Sequence, residues 1–217
     1  MINTSMRTAA AVLVVALAVS SPSARAEDAG LYAAPPPPDA AFVRVLNADV
    51  SNEANVSIGG VALVAPPAAL SPYGILTRGD YSATIPGGTI AVSLVAQKFY
   101  TLLFAPGGTS RLVEDVPVTN PVHAGLYFYN LSGSPLELDA KVGGKQAAVF
   151  KAVAPGQATS REVNAFDVAF LVTNESGSPV ELPPITMARQ QGVSVVAVQS
   201  GDKITAFQVV NSVTATP

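Results

Sequence analysis

His123 is the only histidine in this 217-residue chain, so a Ser-His-Asp triad or a histidine general base would have to use it. It lies in the segment Asn120-Pro121-Val122-His123-Ala124, and the chain contains no G-x-S-x-G nucleophile motif. We therefore interpret His123 as a capping or solvent-facing residue at the start of a strand. With one histidine and no cysteine, a zinc site would need carboxylates as its other ligands, so we expect no metal and no cofactor.

Two carboxylate pairs have the residue types that a glycosidase uses, namely Glu114 with Asp115 and Glu137 with Asp139. Adjacent residues of a strand point to opposite faces, so Glu114 and Asp115 should not converge. Glu137 and Asp139 share a face in the alternating segment Leu136–Val142, and we expect that face to be solvated. Neither pair predicts a catalytic site, and we expect the protein not to be an enzyme.

Tyr127 and Tyr129 lie two residues apart, which places both side chains on one face of a strand. The pair would either stack on a sugar or a partner protein, or fill the core opposite Leu126 and Phe128. Core filling is the favoured interpretation, because large aromatic side chains are usually buried.

Four basic residues flank two hairpin-like connections in the second part of the chain. They could form a patch for an acidic ligand, although scattered surface cations are the more common explanation. These residues are Lys141, Lys145, Lys151 and Arg161.

The overall composition excludes several classes of protein. Fifteen acidic and 12 basic residues give a formal net charge of -3, so the overall field attracts no polyanion, and we expect no nucleic-acid partner. The absence of cysteine excludes disulfides, thiol catalysis and a lipid-modified N-terminal cysteine. Only 12% of residues are charged, and the 17 glycines and 18 prolines favour short strands joined by tight turns.

The N-terminus has the pattern of an export signal. Arg7 precedes an apolar run from Ala9 to Val19, and Ala24-Arg25-Ala26 matches the small-x-small cleavage pattern. We predict cleavage after Ala26, which leaves 10 basic and 15 acidic residues and a net charge of -5. The apolar run is too short for a membrane span, so we predict an exported, periplasmic protein without a membrane anchor.

Short β-rich runs fill the rest of the chain in two series, separated by the segment Pro117–Pro121. Gly59-Gly60, Pro86-Gly87-Gly88 and Pro106-Gly107-Gly108 are typical of turns. The first series comprises residues 42–47, 54–58, 81–85, 89–95, 99–104 and 111–116. The second comprises residues 124–131, 136–142, 147–153, 160–164, 168–173, 193–199 and 203–210.

These series predict an all-β protein made of two tandem antiparallel β-sandwich domains of about seven strands each. The predicted organisation is a signal peptide (1–26), a proline-rich arm (27–40), a first sandwich (41–117) and a second sandwich (118–217). The segments Val43–Ala48 and Leu126–Leu131 each open one series and carry an asparagine before polar turn residues. A duplicated module is therefore plausible.

Several segments resemble the AlgF family of periplasmic alginate O-acetylation proteins, in the same order along the chain. The resemblance covers essentially the whole mature chain. It rests on Leu31-Tyr32, residues 41–48, 79–83, 99–102, 129–132, 135–138, 153–157 and 160–164.

The resemblance implies a periplasmic accessory protein that is required for O-acetylation of alginate but has no recognised catalytic motif. It implies an adaptor that docks on periplasmic alginate O-acetyltransferases and on a membrane-bound O-acyltransferase complex. A covalent acetyl-carrier role stays open, and no family residue can be transferred as a binding site. Because alginate carries a carboxylate on every sugar, we expect an acidic chain to bind it weakly. We expect apolar edges and tyrosines to form a protein interface instead.

Two other functions stay open from the residues alone. One is a carbohydrate-binding β-sandwich unrelated to acetylation, and the other is an extracellular structural or adhesion module.

Overall fold

The chain forms strands throughout the part that the structure describes, which is residues 35–105, 110–174 and 178–214 of a computed structural model. Within these ranges there is no helix, and hence no helix long and apolar enough to cross a membrane. The predicted signal peptide, most of the proline-rich arm and the predicted turn at 106–108 lie outside the described residues.

The N-terminal half comprises nine strands in the described residues. They are β1 (Ala40–Asn47), β2 (Ala54–Ile58), β3 (Val61–Ala65), β4 (Ala69–Leu70), β5 (Gly74–Thr77), β6 (Gly79–Ile85), β7 (Gly88–Leu94), β8 (Phe99–Phe104) and β9 (Arg111–Asp115).

The C-terminal half also comprises nine strands in the same described part. They are β10 (His123–Leu131), β11 (Leu136–Val142), β12 (Lys145–Val153), β13 (Ala158–Asn164), β14 (Asp167–Thr173), β15 (Val180–Glu181), β16 (Ile185–Thr186), β17 (Gly192–Ser200) and β18 (Lys203–Val210). The predicted runs are confirmed as strands, whereas β3, β4, β5, β15 and β16 were not predicted.

Each half is a sandwich of two sheets, and the two halves have the same strand order. The N-inner sheet is β4-β1-β8-β9, with β5 also pairing β1, and the N-outer sheet is β3-β2-β6-β7. The C-inner sheet is β13-β10-β17-β18, and the C-outer sheet is β12-β11-β14-β15, with β16 also pairing β14. The fold is therefore all-β with two tandem sandwiches, and β1 of the first corresponds to β10 of the second.

Strand pairing is antiparallel except for one ladder in each half. β1 pairs with β8, and β10 with β17, in parallel. A parallel pair needs a long crossover connection, and here the strands of the outer sheet provide it, because they lie between the two partners along the chain.

The asparagines that the two repeated segments share have the same role in both halves. Asn47 is fully buried and donates from Nδ2 to the carbonyl of Ala65 at 3.1 Å. Asn130 is fully buried and donates from Nδ2 to the carbonyl of Val153 at 2.8 Å. In each case Oδ1 accepts the backbone N–H two residues later at 2.9 Å, which fixes the turn after the strand. This repetition supports a duplicated module.

Each sandwich has an apolar core between its own two sheets. The two inner sheets also pack face to face and enclose a third apolar core between the sandwiches. Its buried members come from both halves: Leu46, Leu70 and Leu103 from the first, and Tyr127, Tyr129, Val196 and Val198 from the second. Both faces of the inner sheets are thus covered, and β1 is buried along its whole length. That double coverage explains why β1 and β10 have nearly continuous apolar sequences rather than alternating ones.

Candidate functional site

His123 lies at the first position of β10, as predicted, and belongs to a structural contact. Its Nδ1 is 3.2 Å from Oε2 of Glu162 on the neighbouring strand β13. Oε1 of Glu162 accepts the backbone N–H groups of Thr119 at 2.6 Å and Asn120 at 3.2 Å. The Thr119 N–H, followed by His123 and Asn120, lowers the pKa of Glu162 to about 2. Glu162 therefore fastens the linker between the halves, residues 116–122, to the C-terminal sandwich.

The first carboxylate pair is split between two environments, as the strand geometry predicted. Glu114 is exposed and accepts a hydrogen bond from Nζ of Lys98 at 2.5 Å. Asp115 points to the opposite face of β9 and is only 4% exposed. The two carboxylates do not converge on one site.

The expectation for the second carboxylate pair was wrong at Asp139. This side chain is buried, at 6% exposure, rather than solvated. The reason is its position at the centre of the C-outer sheet, where Nε2 of Gln146 on β12 donates to Oδ2 of Asp139 at 2.9 Å. Glu137, two residues earlier, is half-buried. Asp139 thus has a structural partner within the sheet.

Tyr127 and Tyr129 share a face and are 6% and 1% exposed. The two side chains are therefore buried, as predicted, and do not form an open stacking platform. The core that they fill is the one between the two sandwiches, and not the one that contains Leu126 and Phe128. Tyr73 and Tyr100 are buried as well. The expectation that tyrosines form an outward protein interface was therefore wrong for Tyr100 and Tyr129, since both pack within the chain.

The four basic residues of the predicted acidic-ligand patch are dispersed. Lys141 pairs with Glu181 at 3.2 Å, and Nη1 of Arg161 donates to the carbonyl of Val149 at 3.4 Å. Lys145 and Lys151 are six positions apart on β12, roughly 20 Å along a strand of ordinary rise. The described residues also contain no group of three or more His, Asp or Glu side chains that could hold a metal ion.

The main polar cluster of the structure surrounds Arg44, which the sequence analysis did not select. Arg44 is in the middle of β1 and is 1% exposed, with its guanidinium between the two inner sheets. Nε donates to Oγ1 of Thr101 at 2.9 Å, and Nη1 donates to Oδ1 of Asn211 at 2.6 Å. Nη2 donates to the hydroxyls of Tyr129 and Ser194, both at 3.0 Å. One side chain of the N-terminal half thus contacts three residues of the C-terminal half.

Asp115 supplies the counter-charge of this Arg44 cluster. Its Oδ2 lies 3.8 Å from Nη2 of Arg44 and accepts hydrogen bonds from Tyr73 at 2.8 Å and Thr101 at 2.5 Å. Its Oδ1 accepts the hydroxyl of Tyr129 at 2.5 Å. The ring of Tyr73 also packs over the guanidinium, whose central carbon is 4.4 Å from the ring centroid.

Burial determines the protonation of this cluster. Burial opposes the charged form of Arg44, but Tyr129, Tyr73 and Asp115 outweigh it, and the pKa of Arg44 lies above its ordinary value. Burial is also the main cause that raises the pKa of Tyr73 and Tyr129. Both phenols therefore remain neutral hydrogen-bond donors, which suits a carboxylate acceptor. The cluster is an internal ion pair between the sandwiches, closed to solvent.

One signal in the sequence could have located this cluster. Arg44 is the only charged residue in the run Phe42-Val43-Arg44-Val45-Leu46. A charge in a continuously apolar strand must be buried with a partner, because an unpaired buried charge is very unfavourable. The identity of the partner, Asp115, is a property of the fold that no local pattern specifies.

Comparison with known proteins assigns the chain to a family. Residues 14–195 match the family described as Alginate O-acetyl transferase AlgF. The chain belongs to the AlgF family. This AlgF-family chain is 34% identical over 192 residues to the alginate biosynthesis protein AlgF of Pseudomonas aeruginosa, covering 88% of this chain and 87% of that relative. The corresponding protein of Pseudomonas fluorescens is 31% identical over 193 residues, covering 88% of each chain.

A solved structure of an AlgF domain is also similar. The C-terminal domain of AlgF from P. aeruginosa is 31% identical and covers 42% of this chain and 99% of that structure, with a TM-score of 0.37. The family and the relatives are named for alginate biosynthesis and O-acetylation. The resemblance that the segments indicated is therefore confirmed.

Proposed function

We propose that this AlgF-family chain is a non-catalytic periplasmic adaptor for the O-acetylation of alginate. It is exported, cleaved after Ala26, and docks on the periplasmic alginate O-acetyltransferases and the membrane-bound O-acyltransferase complex. Residues 41–117 and 118–217 are its two domains, and 27–40 is an N-terminal arm. The protein needs no cofactor in this role.

One observation carries the non-catalytic part of this proposal: the reactive side chains of the main polar cluster are buried and hydrogen-bonded to one another. Asp115 accepts three hydroxyl groups, and Arg44 donates to four side chains, all between the two inner sheets. Acyl transfer requires a nucleophile and a base that a substrate can reach. In this cluster these groups instead hold the two sandwiches together, which suits a protein that acts by presenting surfaces.

Electrostatics favour a protein, rather than the alginate polymer, as the main ligand of this chain. The mature chain carries 10 basic and 15 acidic residues, so its net charge of -5 repels a polyuronate at long range. The dispersed Lys141, Lys145, Lys151 and Arg161 give no compact site to offset that repulsion. Weak binding of alginate and tighter binding of an acetyltransferase follow.

Deletion of the gene tests the proposed role. We expect the mutant to secrete alginate in normal amount but with few O-acetyl groups, and we expect the intact gene to restore them. Unchanged acetylation in the mutant would refute the role. The purified chain should also fail to turn over a chromogenic acetyl ester, and steady turnover that His123→Ala abolishes would show that the protein is an enzyme.

A further inference from the structure

A cleft of about 410 Å³ opens where the two sandwiches meet, and we name it the junction cleft. Tyr73 and Phe99 of the N-terminal half form one wall, and Tyr127 of the C-terminal half forms another. Gln191 also lines it, as do Val118 of the linker and Val213 of the C-terminal segment, which is residues 211–214. The cleft is therefore composite and exists only while the two halves are held together.

Tight packing fixes the walls of the junction cleft. The Phe99 ring stacks on Phe42 with centroids 4.3 Å apart, and it meets the Tyr73 ring edge-on at 5.3 Å. The backbone N–H of Tyr73 donates to the carbonyl of Ser212 at 2.9 Å, and the N–H of Thr214 donates to the carbonyl of Tyr73 at 2.8 Å. The C-terminal segment is thus fastened to the N-terminal half, and the cleft is preformed.

Two glycines provide the space for this arrangement. A Cβ at Gly192 would lie 2.4 Å from Nδ2 of Asn211, and one at Gly125 would lie 2.6 Å from Cγ2 of Val118. A side chain at either position would displace a residue that lines the cleft. The absence of side chains at Gly125 and Gly192 therefore lets the lining residues keep these positions.

The lining of the junction cleft carries no charge. None of its lining residues is Asp, Glu, Lys or Arg, although the chain has 27 such residues. Arg44 lies behind the Asn211 side chain, and four of its five N–H donors are already used by Asn211, Tyr129, Ser194 and Thr101. A uronate or phosphate would have to leave water without a counter-charge, which is unfavourable. The cleft suits an uncharged group.

Several exposed apolar side chains lie close in sequence to residues that line the junction cleft. Among the described residues, eight large apolar side chains are exposed, and four of them belong to the linker, to the last position of β18 or to the C-terminal segment. These four are Val116, Val122, Val210 and Val213. Val213 itself lines the cleft, and exposed apolar surface at a pocket is typical of protein interaction sites, where one anchor side chain contributes much of the affinity.

We propose that the junction cleft is the docking site for an uncharged peptide segment of the acetyltransferase partner, which inserts an apolar side chain between Tyr73, Tyr127 and Val213. This proposal rests on the proposed adaptor function and assigns a surface to it. Both sandwiches would contact the same partner segment, so the relative position of the halves matters for binding.

Charge substitutions in the cleft test the docking site, with binding of the purified periplasmic acetyltransferase measured by calorimetry. Val213→Asp should weaken binding at least tenfold, because Val213 is 47% exposed and the change places a carboxylate in the apolar contact. Gln191→Glu adds a charge to the lining without a change in size and should also weaken binding. Val64→Asp is the matched control, since Val64 is 43% exposed on β3 of the N-outer sheet, and it should bind within twofold of the unmodified chain.

The outcomes separate the docking site from the adaptor function. If the unmodified chain binds and both cleft variants bind as tightly as Val64→Asp, the docking site is wrong and the adaptor function stands. If all three variants lose binding equally, the cleft is again not the specific contact. If the unmodified chain does not bind the acetyltransferase, the adaptor function fails and the docking site with it. Unchanged melting temperatures of the variants confirm that each is folded.

Discussion

Nη2 of Arg44 donates a hydrogen bond of 3.0 Å to the hydroxyl of Tyr129, and this bond joins the first strand of one sandwich to the first strand of the other. The same hydroxyl donates to Asp115, which returns the connection to the N-terminal half. Domains in one chain commonly move relative to each other unless their interface is large and apolar. Here an apolar core surrounds the ion pair, and we expect the two sandwiches to unfold together.

Removal of Asp115 should destabilise the whole chain strongly. Asp115→Ala leaves the buried guanidinium of Arg44 without its counter-charge, and breaking a buried pair in this way costs about 3–5 kcal/mol. Urea denaturation followed by circular dichroism measures the free energy of unfolding. The control is Glu114→Ala on the exposed face of the same strand, which should change little. If the two substitutions lowered the free energy of unfolding equally, the buried ion pair would contribute no more to stability than the exposed carboxylate.

Gly192→Ala should loosen the junction of the halves. The new Cβ would lie 2.4 Å from Nδ2 of Asn211 and 3.0 Å from Cε2 of Tyr127, so both side chains must shift. Overpacking of this kind costs about 1–3 kcal/mol. Gly88→Ala is the control, because nothing lies within 4 Å of its Cβ position, and it should stay within about 0.5 kcal/mol of the parent. Similar melting temperatures for both variants would contradict the assigned packing.

Acid should release the linker through Glu162. Its pKa is lowered from 4.5 to about 2 in the folded chain, so its stabilisation is fully present above about pH 5 and is lost as the pH falls toward 2. Thermal melts between pH 6 and pH 2 measure this dependence. Glu162→Gln should melt below the parent at pH 6, and the difference should shrink at low pH. The control is Glu53→Gln. The assignment to Glu162 would be contradicted if the difference in melting temperature between Glu162→Gln and the parent did not change with pH, or if Glu53→Gln showed the same decrease at low pH.

His123→Ala should leave alginate O-acetylation nearly intact in cells. The imidazole contacts Glu162, which two backbone N–H groups already hold, so its loss removes one of several linker contacts. The O-acetyl content of the secreted polymer is the readout, normalised to the level of folded protein in the periplasm. A loss of several orders of magnitude with the protein level unchanged would reveal a catalytic histidine.

The fold could be predicted from the sequence largely because local patterns determine strands and turns. The turn at Gly59-Gly60 is confirmed, with positive φ angles of 56° and 85° that glycine adopts without strain. The strand 136–142 has its predicted bounds. The two-residue strands such as β4 were missed, since two residues carry no periodic pattern.

The arrangement of the two halves could not be predicted in the same way. The pattern of Tyr127 and Tyr129 indicated a shared, buried face, but which sheet covers that face depends on contacts far apart in sequence. Asp139 was expected to be exposed to solvent. Alternation shows which residues share a face of the strand, but it does not show whether other side chains cover that face. Arg44 and Asp115 are 71 positions apart in the chain, and they meet because β1 and β9 both pair with β8 in the N-inner sheet, a strand order that no local pattern specifies.

Calorimetric titration of the purified chain tests the adaptor account most directly, with oligomannuronate as one ligand and the periplasmic acetyltransferase of the same organism as the other. An adaptor should bind the acetyltransferase with micromolar or tighter affinity, a free energy of about -8 kcal/mol, and should bind the oligosaccharide weakly at low and physiological salt. Tight, salt-sensitive binding of oligomannuronate without detectable binding of the acetyltransferase would contradict the adaptor function and would favour a carbohydrate-binding protein.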